Sequence, residues 1–356
     1  MQPIVLGPNT PEMFYRGGGR IDRLRGTRGH EDRPEDWIAS VTSRFGTEAD
    51  GMTRLPDGGL LAEAVAADPR AWLGAEHVAR YGSDTGLLVK LLDAGQRLPV
   101  HVHPGRRFAA EHLASPHGKT EAWIVLEAEP GAAVHLGFSR DVGAGELAGW
   151  ARSQDIESML AATNRVPVAA GDSVLCPAGT PHAISAGILV IELQEPADLS
   201  IMLEWRPFAL SEQEATLGLP LEEALACVDR RACPPERLEA LRGRPLNSAA
   251  GSLLPAEGDP FFVAERVDTR VSRHLSQSYG VLVVTAGEGH LATHNGASVR
   301  VGRGSTVLIP HAAGPRRAHR HGRRRALPAR QLTSAGPAAG TEAGTARRPG
   351  RSVQDR

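Results

Sequence analysis

Short apolar runs, each cut off by Gly, Pro, Asp or Ser, recur through most of the chain. Leu87–Leu92 stops at Asp93-Ala94-Gly95, and Ala122–Leu126 stops near Pro130-Gly131; Ala132–Gly137, Ser173–Cys176 and Gly187–Leu193 repeat the pattern. Runs of this length between turn residues predict the strands of an all-β sandwich or barrel. Two stretches carry the other period. Ser153–Thr163 places Ile156, Met159 and Leu160 on one face behind a Ser or Asp cap, and Pro220–Arg231 does the same with Leu221, Leu225 and Val228. Both predict helices inserted between or beside the sheets. A second β region follows, with Phe261–Val263, Tyr279–Val284, Val299–Val301 and Ser305–Ile309 as its strands. The predicted architecture is mainly β: one barrel within residues 1–210, a helical connector over 211–240, and a smaller barrel over 241–314. Beyond Pro315 the apolar periodicity gives way to Arg, Ala, Gly and Pro, so 315–356 reads as a disordered tail.

Composition narrows the class. The chain has 356 residues, 41% of them apolar, and no apolar run approaches the length of a membrane span. The opening Met1–Leu6 breaks at Gly7-Pro8 before a signal-peptide core could form, so a soluble, cytoplasmic protein with no membrane partner is expected. Three cysteines without a C-x-x-C pair argue against a disulfide framework and against a thiolate zinc site, which leaves His and carboxylates as the candidate metal ligands. The net charge of −1 conceals an imbalance. From Pro315 onward eleven arginines face only Glu342 and Asp355, a net of +9, which leaves the first 314 residues at −10. An acidic body is a poor nucleic-acid binder, and no such partner is expected. Of the 40 basic residues only Lys90 and Lys119 are lysine, and they bracket the candidate chemistry.

His101-Val102-His103 lies in a strand-like context, where alternate side chains leave the same face and two imidazoles can converge. Gly95 precedes His101-x-His103 by five intervening residues; Gly171 precedes Pro177-x-Gly179-x-x-His182 by the same number, and Glu121 lies between. These are the two motif spacings of the cupin barrels, in their usual order. Three neutral imidazoles and one carboxylate make an N/O site suited to zinc, with iron, manganese, cobalt or nickel as alternatives.

Four phrases further resemble the class I mannose-6-phosphate isomerases: Glu35–Ser40, Lys90–Pro104, Gly118–Trp123, and Pro177–Ile184 with the following Gly187–Leu189. They fall between residues 35 and about 200, and the second β region resembles that family's degenerate second cupin. The resemblance implies two jelly-roll barrels, one Zn2+ per chain, a monomer, and interconversion of mannose 6-phosphate and fructose 6-phosphate through a cis-enediol. Position by position, His103, Glu121 and His182 match the family's metal ligands, and His101 stands where a glutamine is usual. Lys90 and Lys119 match pocket lysines, and Glu192 matches an acidic residue near the reacting carbons, here the candidate base. The family's arginine four residues after the aspartate matching Asp198 is replaced by Met202, which leaves Arg206 as the candidate substitute, with a different phosphate contact or a different substrate as the alternatives. Two other readings stand beside the isomerase: a non-catalytic sugar-binding or regulatory metal cupin, and an iron-dependent cupin dioxygenase with the same ligands.

Overall fold

The computed structural model describes residues 1–248, 251–268, 273–293, 296–319 and 330–335. Among the described residues four antiparallel sheets form two barrels, and short helices fill the connections. In the first barrel one sheet runs, in spatial order, Glu35–Ile38, Leu88–Ala94, Ile188–Gln194, Glu121–Ala128 and Ser173–Cys176. The facing sheet runs Ile201–Met202, His101–Val102, His182–Ile184, Ala133–Phe138 and Thr163–Pro167. Leu88–Ala94 and Ile188–Gln194 are buried at every residue because both their faces are covered. One face, with Lys90, Leu92 and Glu192, lines the inside of the barrel. The opposite face places Val89 and Leu91 in a core shared with Val281, Val283 and Leu308 of the second barrel. Asp93, also on that opposite face, is satisfied by the amides of Gly18 and Arg20 at 2.9 and 2.6 Å and by the Arg20 guanidinium at 3.1 Å.

The second barrel has one sheet in the order Ile4–Leu6, Thr306–Ile309, Gly280–Ala286, Arg330–Ala335 and Val263–Asp268. Its other sheet runs Arg273–Leu275, Arg316–His319, Glu288–Thr293 and Ser298–Gly302. Two boundaries expected from the sequence are corrected by this arrangement. Residues 4–6 pair with Val307 and its neighbours, so the chain begins in the second barrel and then crosses to the first. The expected disorder from residue 315 does not hold at Arg316–His319 or Arg330–Ala335, which are strands. Arg330–Ala335 pairs with Val263–Asp268 on one side and with Gly280–Ala286 on the other. Strand pairing is a backbone interaction, and two unpaired edges can recruit a segment such as Gln331-Leu332-Thr333-Ser334, whose lack of charge is hidden in the count for the whole tail. The remainder of that tail lies outside the described residues.

Helix boundaries also shift. The helix expected over Ser153–Thr163 is found at Ile156–Ala162, with the Asp155 side chain as its cap, accepting from the Ser158 amide at 3.1 Å; a separate helix, Ala144–Ser153, precedes it. The helix expected over Pro220–Arg231 is confined to Leu221–Leu225. Beyond it the backbone is diverted into bridges to the first barrel, with the Asp229 amide on the Gly179 carbonyl at 2.7 Å and the Val142 amide on the Arg230 carbonyl at 2.8 Å. Among the described residues six helices fall outside the expected helical segments: Arg20–Arg25, Leu61–Ala67, Pro69–Leu73, Ala75–Tyr81, Arg106–His112 and Ala144–Ser153.

Truncation after Gly314 provides a test of the second barrel. It removes both late strands and exposes the edges of Val263–Asp268 and Gly280–Ala286, so a lower melting temperature and aggregation are expected. Metal content should be retained, since every candidate ligand lies in the first barrel. An unchanged melting curve would show that the late strands contribute nothing to stability.

Candidate metal centre and substrate cavity

The HxH pair sits where its spacing predicted. His101 lies in strand register with His182 on one side and with Met202 on the other, and His103 follows two residues on, leaving the same face. Gly179 holds the turn that brings His182 round. Its φ of +86° is a conformation that glycine adopts without strain, and an added Cβ would stand 3.2 Å from the Cys227 carbonyl. The Gly179 amide bonds the His103 carbonyl at 2.7 Å, which fastens the turn to the first motif. Gly118 is required for a different reason: a Cβ there would meet the Arg106 amide at 2.6 Å and the Pro104 carbonyl at 2.7 Å. That close approach fixes the start of the strand that delivers Lys119 and Glu121.

The three imidazoles form one cluster, with ring centroids 4.0 to 4.9 Å apart. Each directs its Nδ1 at a backbone carbonyl: His101 at Pro99 (2.8 Å), His103 at Leu199 (2.8 Å) and His182 at Thr180 (2.9 Å). A carbonyl can only accept, so every Nδ1 carries the proton and a neutral ring presents the Nε2 lone pair. Burial holds His101 well below the usual imidazole range, and burial with the Lys119 charge brings His103 down to about 3. Glu121 faces these lone pairs, with its oxygens 3.0 Å from His103 Nε2 and 3.1 Å from His182 Nε2. Burial opposes its charge, but the Lys119 ammonium 3.5 Å away favours it, and the carboxyl stays well below its ordinary range. Acceptors therefore face acceptors, and Glu121 Oε2 and His182 Nε2 have no hydrogen-bond partner although both are buried. A divalent cation satisfies such a set, and the donors of His101, His103 and His182 lie within 4.8 Å of one another. Outer-shell carbonyls that fix the tautomer are what a metal-binding histidine requires.

Cys176 was set aside on sequence grounds, yet its donor falls within 4.8 Å of those of Glu121 and His182. Its sulfur is 3.4 Å from His182 Nδ1, on the edge of the ring that bonds the backbone, and burial pushes the thiol up. It therefore packs behind the imidazole and stays protonated.

A cavity of about 670 Å3 opens onto this centre, lined by His101, Glu121, Lys119, Glu192 and Lys90 among others. Lys119 Nζ is 3.0 Å from His103 Nε2, 3.5 Å from Glu121 and 3.5 Å from Ser200 Oγ. Lys90 and Glu192 are direct cross-strand partners, and Trp37 and Trp123 continue the row on either side. The Lys90 ammonium sits 4.5 Å over the Trp37 ring, 3.1 Å from Glu35 and 3.7 Å from Glu192. Burial opposes its charge, but Glu35, Glu192 and Asp198 raise its pKa above the usual lysine value. Glu35 takes the stronger share of Lys90 and also accepts from Trp37 Nε1 at 2.6 Å and from the Tyr15 hydroxyl. Burial resists ionisation of Glu35 too, but Lys90 and these two donors hold it below its ordinary value. Glu192 Oε1 is left without a hydrogen bond, and burial, reinforced by Glu121, pushes the carboxyl up to about 7 against Lys90 and Lys119.

Five of the sequence-proposed residues, Lys90, His101, Lys119, Glu121 and Glu192, thus line one cavity. His103 and His182 sit at the metal cluster beneath it. Arg206 does not join them. It lies in a short turn, Arg206–Phe208, with its guanidinium on the carbonyls of Ser153 and Arg152 at 3.3 and 3.2 Å, outside the cavity lining. The three residues between Met202 and Arg206 carry the chain away from the cavity, and the Arg206 guanidinium does not reach it. Tyr15, Glu35 and Arg44, which also line the cavity, were missed as site residues. Glu35 sat in a legible phrase that suggested no role, while Tyr15 and Arg44 carried no signal at all.

No family model matches the chain. A mannose-6-phosphate isomerase of Streptococcus mutans is 38% identical over 136 residues, an alignment that takes in 35% of this chain and spans 40% of the length of that relative. A Bacillus subtilis protein described as "Probable mannose-6-phosphate isomerase GmuF" is 25% identical over 317 residues, 86% of this chain and 93% of its own length. Among solved structures, the mannose 6-phosphate isomerase of Bacillus subtilis superposes with a TM-score of 0.70 at 20% identity, covering 94% of this chain and 99% of that one. A mutant phosphomannose isomerase of Salmonella typhimurium gives 0.71 at 16% identity, covering 95% and 100%. The chain therefore resembles the class I mannose-6-phosphate isomerases in sequence and carries the cupin fold of their solved structures.

Proposed function

We propose that the chain is a zinc-dependent aldose–ketose isomerase that interconverts mannose 6-phosphate and fructose 6-phosphate in the cytoplasm, where sugar phosphates are metabolised. The observation that carries this reading is the convergence of three tautomer-locked imidazoles and Glu121 on the floor of a cavity that also holds a carboxylate with a pKa of about 7. The names of the similar proteins supply the sugar. His101, His103, Glu121 and His182 would hold the ion, and an N/O set of this kind suits zinc, which as a Lewis acid polarises oxygens of the substrate.

The remaining chemistry falls to the side chains. Glu192 takes the proton from C2; the C2–H electron pair becomes the C1=C2 bond of a cis-enediol as O1 gains a proton. Glu192 then returns its proton to C1, and loss of the O2 proton leaves the C2 carbonyl of the ketose. One residue can serve both half-steps because C1 and C2 are adjacent, and a pKa near 7 lets it accept and donate with similar ease. Lys119 places positive charge beside the reacting oxygens, and Lys90, pinned by Glu35 and Trp37, orients Glu192.

A coupled assay for fructose 6-phosphate, run before and after metal removal and zinc restoration, tests the reading. Lys119→Met keeps the apolar stem and deletes the charge, so catalytic efficiency should fall by about two orders of magnitude with metal content unchanged. No turnover with zinc restored would refute the isomerase. The second reading, a non-catalytic sugar-binding cupin, is favoured by Met202, an uncharged thioether in the cavity wall beside His101. Binding of mannose 6-phosphate without product would decide for it.

A further inference from the structure

We propose that Arg44, at the rim of the cavity, is the residue that binds the phosphate of the substrate; the assignment rests on the sugar-phosphate reading above. Among the described residues three lysine or arginine side chains line the cavity: Lys90, Lys119 and Arg44. The first two are committed. Lys90 is buried against Glu35, Glu192 and the Trp37 ring, and Lys119 sits at the metal cluster between His103, Glu121 and Ser200. A phosphate on C6 must lie away from the reacting C1 and C2, and so away from both lysines. Met202 offers no charge, and Arg206 is turned outward.

Arg44 has the right exposure and the right support. Its side chain is 38% exposed, with Nε 2.8 Å from Asp50, itself 41% exposed, and with one terminal nitrogen donating to the Glu12 carbonyl at 3.0 Å. A half-exposed ion pair of this kind is weak and readily exchanged for a phosphate, whose oxygens match the guanidinium fork. The position of the residue is nevertheless fixed. Its backbone closes the 44–50 loop through the Arg44 amide on the Asp50 carbonyl at 2.7 Å and the Thr47 amide on the Arg44 carbonyl at 3.0 Å. The adjacent Phe45 amide donates to Asp198 at 3.0 Å, tying this loop to the segment that carries Ser200 and Met202. The acidic groups in this wall are engaged as well: Asp198 by that amide, and Glu214 by the amide and hydroxyl of Ser211 at 2.8 and 2.6 Å.

The test compares metal-loaded wild type, Arg44→Ala and Arg44→Lys, using calorimetric binding of mannose 6-phosphate and of mannose alongside turnover. Arg44→Ala should weaken mannose 6-phosphate binding and raise KM at least tenfold, change kcat by less than about threefold, and leave mannose binding unaltered. Arg44→Lys, which keeps the charge and loses the fork, should fall between the two. Equal affinity of wild type and Arg44→Ala for mannose 6-phosphate overturns the assignment of Arg44 alone. A parallel loss of mannose binding would also overturn it, since the defect would not be in phosphate recognition. A wild-type protein that neither binds nor turns over mannose 6-phosphate overturns the sugar-phosphate reading itself.

Discussion

Replacement of His103 or His182 by alanine is expected to abolish metal binding, reducing the metal content of purified protein from close to one divalent ion per chain to a trace. Each imidazole is locked by its own carbonyl, to Leu199 and Thr180 respectively, so truncation removes a fixed donor. Removing one of four donors also withdraws the cation that would stabilise the native state on binding, so the variants should be less stable in zinc-containing buffer than wild type. Glu121→Gln should weaken binding less completely, because an amide oxygen can still ligate while the lost charge reduces attraction for a cation. Elemental analysis after dialysis checks all three variants, and full retention of metal by both histidine variants would dismiss the site.

The second large effect concerns Glu192. As the proposed base it acts ionised, so kcat should fall as pH drops below about 7, approaching tenfold per unit. Glu192→Gln should cost about two to four orders of magnitude in kcat with metal content intact. Lys90→Met deletes a charge that favours the ionised form, so the surviving activity should have its acid limb shifted to higher pH. The same shift affects stability. A carboxyl raised from 4.5 to about 7 by folding binds its proton more tightly in the native state, so its contribution is present below pH 4.5 and is lost as pH rises through 7. Glu192→Gln cannot ionise, and the metal-free variant should therefore melt higher than metal-free wild type at pH 8 and nearly level with it at pH 5. A pH–rate profile whose acid limb stays in place when Lys90 is removed would separate Glu192 from the titrating group.

Strand runs such as Ser173–Cys176 and Ile188–Gln194 are legible because β-rich apolar segments are short and end at turn residues, a pattern independent of what they pack against. Helices shorter than about two turns, such as Arg20–Arg25 and Pro69–Leu73, have no comparable signature. They are too brief to show a period and are held by tertiary contacts. The strand Arg330–Ala335 is the extreme case. The composition of the tail as a whole speaks against structure there, and the strand's conformation depends on the unpaired edges of two strands remote in sequence.

For the candidate site the same division holds. Spacing alone determined that His101 and His103 share a face, since a strand has a period of two, and that a Pro-x-Gly-x-x-His turn would present a third imidazole. Charge states could not be read that way. That Glu192 rises toward 7 while Glu35, on the other side of the same lysine, falls below its ordinary value depends on which carboxylate receives the hydrogen bonds of Tyr15 and Trp37. Likewise the choice between Arg206 and Arg44 was not legible in the sequence. Arg206 is near Met202 along the chain but leaves the barrel, whereas Arg44 is more than 150 residues away and reaches the cavity through a loop tied to Asp198. Local periodicity and motif spacing are properties of the covalent chain and survive in its sequence. Desolvation, hydrogen-bond competition and approach through space arise only when distant segments are packed together, and for this protein they decide which side chains can bind metal, move a proton or hold an anion.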